Sequence, residues 1–87
     1  MPKVVFTHPV SDPKHWASKH SERVKAFASW GSNVVDYLSA DGSHKVAVSV
    51  DVHDLAAMQA ALGSPEIKAA KQAHGVQEPL TIHIEKS

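Results

Sequence analysis

The sequence predicts one α+β domain whose elements follow the order βαββαβ, the ferredoxin-like arrangement. Three observations carry this. Four short runs rich in Val, Ile and Phe are bounded by turn residues. Two longer stretches between them have apolar residues at helical spacing and open on capping residues. The one strong hairpin signal, Asp41-Gly42, falls between the second and third strands. Right-handed crossovers then place the strands 4-1-3-2 in an antiparallel sheet with the helices on one face. Residues 1–87 leave room for a single domain and no linker.

The first strand is Lys3 to His8, ending at Pro9. Asp12 is placed to cap a helix with Pro13 at its first position, where a missing N–H costs nothing. That helix is expected to run from Pro13 to Trp30 and to stop at Gly31. Val34 to Ser39 forms the second strand and Lys45 to Val52 the third. Asp54 caps a second helix with Leu55, Met58 and Leu62 on its inner face. Gly63 breaks it, and Ser64 opens a new segment carrying Ile67 and Ala70 inward and ending at His74-Gly75. Leu80 to Glu85 is the fourth strand. Alternation puts Val46, Val48, Val50, Val52, Leu80, Ile82 and Ile84 against the helices. Ala47, Ser49, Thr81 and His83 then form a second, mixed face, open either to water or to a second subunit. The facing of the first strand stays open, because Val4/Phe6/His8 and Val5/Thr7/Pro9 are similarly apolar.

Composition narrows the function. Nine Lys plus Arg cancel nine Asp plus Glu, so the long-range attraction that drives binding to nucleic acid or anionic membranes is missing. There is no cysteine, which removes disulfides, thiolate metal sites and a Cys nucleophile. The first residues read as a strand rather than a signal peptide, and no run is long and apolar enough to span a bilayer, so the cytoplasm is the expected location. A domain of this size buries only about 60–65% of its unfolded surface and gains from association. No catalytic Ser-His-Asp order, phosphate loop or dinucleotide fingerprint occurs.

Seven histidines in 87 residues are the one compositional hint of chemistry, since imidazole changes charge near neutral pH. His20 falls on the wheel sector shared by Trp16, Ala17, Val24, Phe27 and Ala28. There it is either a core ring bonded to a carbonyl or to Tyr37, or an acid/base group lining a pocket. His8 and His83 lie on neighbouring antiparallel strands and either share one side or are unrelated. Arg23 flanks the stripe, placed to neutralise a carboxylate or enolate, or else paired on the surface with Glu22. His74, in a last helical turn, is explained by the helix dipole. His15 and His20, five apart, face different sides of their helix, and no ligand spacing appears, so no metal is expected.

The run Phe6-x-His8-x-Val10-x-Asp12-x-x-x-Trp16, with Gly31 closing the helix, resembles small bacterial proteins of the dimeric α+β barrel superfamily. So does Ser64-Pro65-Glu66-Ile67 followed by Gly75-Val76 and Pro79. That superfamily includes antibiotic-biosynthesis monooxygenases, muconolactone isomerases and polyketide cyclases. The resemblance spans essentially the whole chain. His20 departs from it by standing where Phe is usual, as does Pro13 at an often aromatic position. The resemblance implies a homodimer and a pocket between sheet and first helix near Phe6, His8, Trp16, His20, Tyr37 and His83. The expected enzyme is a cofactor-independent cyclase, isomerase or monooxygenase acting on a small aromatic or polyketide-like molecule. His20, His83, His8 and Tyr37 would carry the chemistry, and Phe6, Trp16, Arg23 and Phe27 would bind substrate. The alternative is a non-catalytic dimeric domain that binds a small ligand or serves as a scaffold.

Overall fold

The structure is a computed structural model that describes residues 2–86. Its elements are β1 (Lys3–Pro9), α1 (Pro13–Ser18), α2 (His20–Phe27), β2 (Gly31–Leu38), β3 (Lys45–Val52), α3 (Leu55–Leu62), α4 (Pro65–His74) and β4 (Thr81–Ile84). The strands form one antiparallel sheet in the order β2-β3-β1-β4. This is the 4-1-3-2 ferredoxin-like order that the sequence predicts. No helix among the described residues is long and apolar enough to cross a membrane.

Pairing settles the facing of β1. Val4, Phe6 and His8 stand opposite Val50, Val48 and Val46, and all six are buried on the helix side. The other side carries Val5, Thr7, Ala47, Ser49, Thr81 and His83, together with Val35 and Tyr37 of β2. Ile82 and Ile84 share the helix side with Phe6 and Val4. Yet they are exposed, because β4 is an edge strand that the helices do not reach; only Leu80 packs on the core.

The long first helix is two segments. Lys19 leaves helical geometry (φ −95°, ψ 14°), and its N–H reaches back to Trp16 and Ala17 carbonyls to close α1. The chain after Phe27 tightens into a turn, with Trp30 N–H bonded to the Phe27 carbonyl at 3.0 Å. Gly31 therefore does not cap a helix; it begins β2. A Cβ there would meet Val50 Cγ2 at 2.6 Å and the Asp51 carbonyl at 3.2 Å, so the glycine permits close passage of the chain over β3. β2 starts three residues earlier than expected and carries a bulge between Ser32 and Val35, with Asn33 at φ 54°.

The caps act as the sequence implies. Asp12 accepts from the N–H groups of Lys14 and His15, Asp54 from Ala57, and Ser64 from Ile67. Of the expected inner face of α3, Met58 is buried and Leu62 partly so, while Leu55 points to solvent. Gly75 ends α4 in the left-handed conformation (φ 76°), the conformation glycine tolerates best. Just beyond it, Val76 bridges Val10, and Gln77 N–H donates to the Pro9 carbonyl at 2.9 Å. These bonds bring the end of α4, and with it His74, against the end of β1 that carries His8.

Candidate functional site

The space between β1, α2 and α4 contains a cavity of about 70 Å³. Phe6, Trp16, Phe27, Val48, Ile67 and Leu80 supply much of its apolar wall, and its polar lining comes from His8, Arg23, Lys71 and His74. Lys71 and the exposed Ala26 lie where the cavity meets solvent.

Arg23 organises the polar end. It is 5% exposed, so it is a buried guanidinium and not the surface partner of Glu22. A buried charge requires a partner, and Arg23 has one on the neighbouring strand. Nε donates to Asp36 Oδ1 at 3.3 Å and Nη2 to Asp36 Oδ2 at 2.5 Å. The guanidinium carbon also lies 4.0 Å from the centre of the Trp16 ring, a cation–π contact that fixes the plane of the fork. The pairing keeps Asp36 largely out of water, with its side chain 15% exposed.

The same arginine decides the state of His74. Nη1 of Arg23 lies 3.4 Å from His74 Nδ1. Arginine only donates, so Nδ1 accepts, and the ring is neutral with its proton on Nε2. Burial, and then the Arg23 charge, lower the His74 pKa below its ordinary value. His8 carries the complementary tautomer. Its Nδ1 lies 3.3 Å from the Pro9 carbonyl, which only accepts, so Nδ1 holds the proton and Nε2 is bare. Burial is the main cause lowering the His8 pKa, the Pro9 carbonyl opposes it, and Arg23 and Lys71 add to it. The His8 ring meets the Trp16 ring edge-on at 5.8 Å. The two histidines that line the cavity are thus neutral near pH 7 and of opposite tautomer, set in a wall that is otherwise almost wholly apolar.

Five of the expected site residues therefore gather here: Phe6, His8, Trp16, Arg23 and Phe27. Three do not. His20 is on the outer side of Asp36, bonded through Nδ1 to Oδ2 at 3.0 Å, with its side chain 45% exposed. Tyr37 and His83 are on the opposite face of the sheet. There Tyr37 Oη bonds Ser49 Oγ at 3.0 Å and His83 pairs across from Val5. His8 and His83 consequently point to opposite sides of the sheet and do not converge. His74 and Lys71 were not expected at a site. Their signal is the spacing Ile67, Ala70, Lys71, His74, which continues one helical stripe past the point where the apolar residues stop. Among the described residues, no three His, Asp or Glu side chains gather as a metal site.

No family model matches this sequence, and no curated protein is similar to it at a significant level. Solved structures are similar throughout the chain. SnoaB of Streptomyces nogalater, described as a cofactor-independent oxygenase, is 14% identical with a TM-score of 0.73, covering 99% of this chain and 93% of its own. A protein of Deinococcus radiodurans assigned as an antibiotic biosynthesis monooxygenase is 15% identical with a TM-score of 0.65, covering 100% of this chain and 92% of its own. Rv0793 of Mycobacterium tuberculosis is 15% identical with a TM-score of 0.58, covering 100% and 95%. The fold is thus the ferredoxin-like α+β fold that these structures share. At these identities the likeness is one of fold.

Proposed function

We propose that this protein is a small cofactor-independent enzyme acting on an aromatic or polyketide-like substrate, with His8 as the base that starts the reaction. The observation that carries this reading is the bare Nε2 of a buried, neutral His8 on the wall of an apolar cavity. An imidazole that loses charge on burial is a competent base at neutral pH, and the apolar wall keeps water from competing. The proton would pass from a carbon or oxygen next to a carbonyl to His8 Nε2, leaving the electron pair on the substrate oxygen. Cyclisation or isomerisation follows from that anion directly. Oxygenation requires molecular oxygen as the second substrate. The fold shared with SnoaB is compatible with any of these.

Size sets a constraint. A cavity of about 150 Å³ holds benzene, and this one is about half that. The enclosed part therefore takes the reacting, oxygen-bearing edge of a ring, and the remainder lies at the Lys71 rim. A panel of small phenols, quinones and β-diketones tests this through the fluorescence of Trp16, which forms part of the wall. Binding of several members at micromolar to millimolar concentration is expected. If no member changes the emission, the cavity is not a substrate site, and a scaffold role fits better.

We also propose that two copies associate through the open face of the sheet. Val35 and Tyr37 are exposed there beside Val5 and Ala47, a patch that costs free energy while hydrated. Sedimentation equilibrium at micromolar concentration should return twice the chain mass of 9.4 kDa. A mass of one chain would remove the dimer.

A further inference from the structure

We infer that the free edge of β4 is a docking surface for the β4 of a second copy, which pairs with it antiparallel and continues the sheet from one chain into the other. This surface is separate from the open face of the sheet, and the inference does not depend on what the cavity binds.

The backbone carries the argument. β4 is the last strand of the sheet, with β1 on one side and no strand on the other. Glu85 N–H donates to the Lys3 carbonyl at 2.7 Å, so Glu85 turns its peptide groups toward β1. Successive residues of a strand aim these groups to opposite sides. Thr81 and His83 therefore also turn toward β1, whereas Ile82 and Ile84 turn outward. The same two residues carry bare side chains. On the helix side, opposite Phe6 and Val4, Ile82 is 41% exposed and Ile84 50% exposed. Unpaired backbone groups and uncovered β-branched side chains thus coincide at two positions of one strand. An added strand uses both, the first for the ladder and the second for cross-strand packing.

The two edges of the sheet differ in this respect. β2 is bulged between Ser32 and Val35, has Asn33 at φ 54°, and carries the charged Asp36 within the strand. Bulges and charges of this kind deter edge-to-edge pairing. β4 is Thr-Ile-His-Ile, with no proline, no acidic or basic residue other than His83, and an unbroken register with β1.

A second copy is the occupant because the strand is complementary to itself. About a two-fold axis normal to the sheet at His83, Ile82 stands opposite the copy's Ile84, and Ile84 opposite its Ile82. Outward peptide groups then meet outward peptide groups, and each isoleucine pair exchanges both of its N–H···O=C bonds. The isoleucines pack side by side on the helix face, and Glu85 meets the copy's Thr81 rather than a second carboxylate. A slip of one residue would oppose peptide groups already spent on β1 and turn the isoleucines to opposite faces. Each chain has one such edge, so the contact is isologous. β4 has only four residues, and stable interfaces bury above about 1,000 Å². The contact is therefore expected near millimolar protein rather than at micromolar concentration.

Amide hydrogen exchange of the ¹⁵N-labelled natural protein, compared at about 20 μM and about 1 mM, tests this directly. The Ile82 and Ile84 amides should exchange at least twofold more slowly in the concentrated sample. The Thr81 and His83 amides, already bonded to β1, should be unchanged. Ile84→Pro removes one outward N–H and none of the ladder with β1, a placement that edge strands tolerate. In that variant the Ile82 amide should exchange at one rate at both concentrations. Ile82→Lys, a charge on the same edge, should act alike. Equal rates for Ile82 and Ile84 at the two concentrations in the natural protein overturn the inference. So does a slowing shared by all four amides, which reports general stabilisation rather than edge pairing. The natural protein decides the matter even if a variant does not fold.

Discussion

Arg23→Met is expected to lower the unfolding free energy by about 3 kcal/mol, whereas Arg23→Met with Asp36→Asn should lie within about 1 kcal/mol of the natural protein. The single change takes from Asp36 its guanidinium partner under α2. The lower end of the usual range applies because the Asp36 side chain keeps 15% of its exposure and a second donor in His20. The double change removes both charges and their desolvation cost, and Met fills much of the space above Trp16. For a domain whose total stability is about 5–15 kcal/mol, the difference between the two variants is large. Urea unfolding followed by tryptophan fluorescence measures it. Equal midpoints for single and double variants would show that Asp36 carries no buried charge, and the description of the cavity's polar end would fail.

His8→Gln is expected to reduce turnover about 10²–10⁴-fold on any compound the protein converts, the usual contribution of a positioned base. Glutamine is neutral and similar in length, and its amide can still donate to the Pro9 carbonyl, so the fold keeps its bond at the end of β1. What it loses is a nitrogen that takes a proton at neutral pH. His83→Gln, on the opposite face of the sheet, should leave turnover unchanged. Steady-state rates for both variants distinguish the readings. A His8→Gln enzyme as fast as the natural one would remove His8 as the base.

The fold was legible because its signals are local. Valines alternate strictly through β3, the capping residues Asp12, Asp54 and Ser64 stand where helices begin, and a glycine ends α4. The site was legible only in its apolar half. The resemblance placed Phe6 and Trp16 at the pocket and gave Phe27 as a substrate-binding residue, and all three line the cavity; periodicity alone left the facing of β1, and so of Phe6, open. The polar half was misplaced for one physical reason. At 100° per residue, Trp16, Arg23, Phe27 and Trp30 fall within a sector of about 60°, and all four are buried. Centring the stripe on that sector requires a charged residue at its middle. That is acceptable only because Asp36, thirteen residues away on β2, pairs with it. No local pattern reveals such a partner. With the stripe centred elsewhere, His20 takes the inner position that Arg23 occupies. The same effect hid His74, whose burial depends on Arg23 and on the return of the chain at Val76 to Val10. The resemblance placed Tyr37 at the pocket, but strand pairing with Ala47 sends it to the other face.

The central claim is that two neutral histidines of opposite tautomer share one cavity, and the proton positions on their rings test it most directly. Long-range ¹H–¹⁵N correlation spectra of the uniformly labelled protein, recorded from pH 8 to pH 5, distinguish the nitrogens of each ring. At pH 7, His8 should carry its proton on Nδ1 and His74 on Nε2. Both should titrate below the ordinary histidine value of about 6.5, because burial disfavours the charged ring. Well above 6.5 neither ring is charged in the folded or the unfolded protein. As the pH falls, the unfolded chain takes up protons first, so stability should decline below 6.5. An imidazolium at His8 at pH 7, or the reverse tautomer there, would leave the cavity without its base, and an imidazolium at His74 could not accept from Arg23; either result would contradict the account.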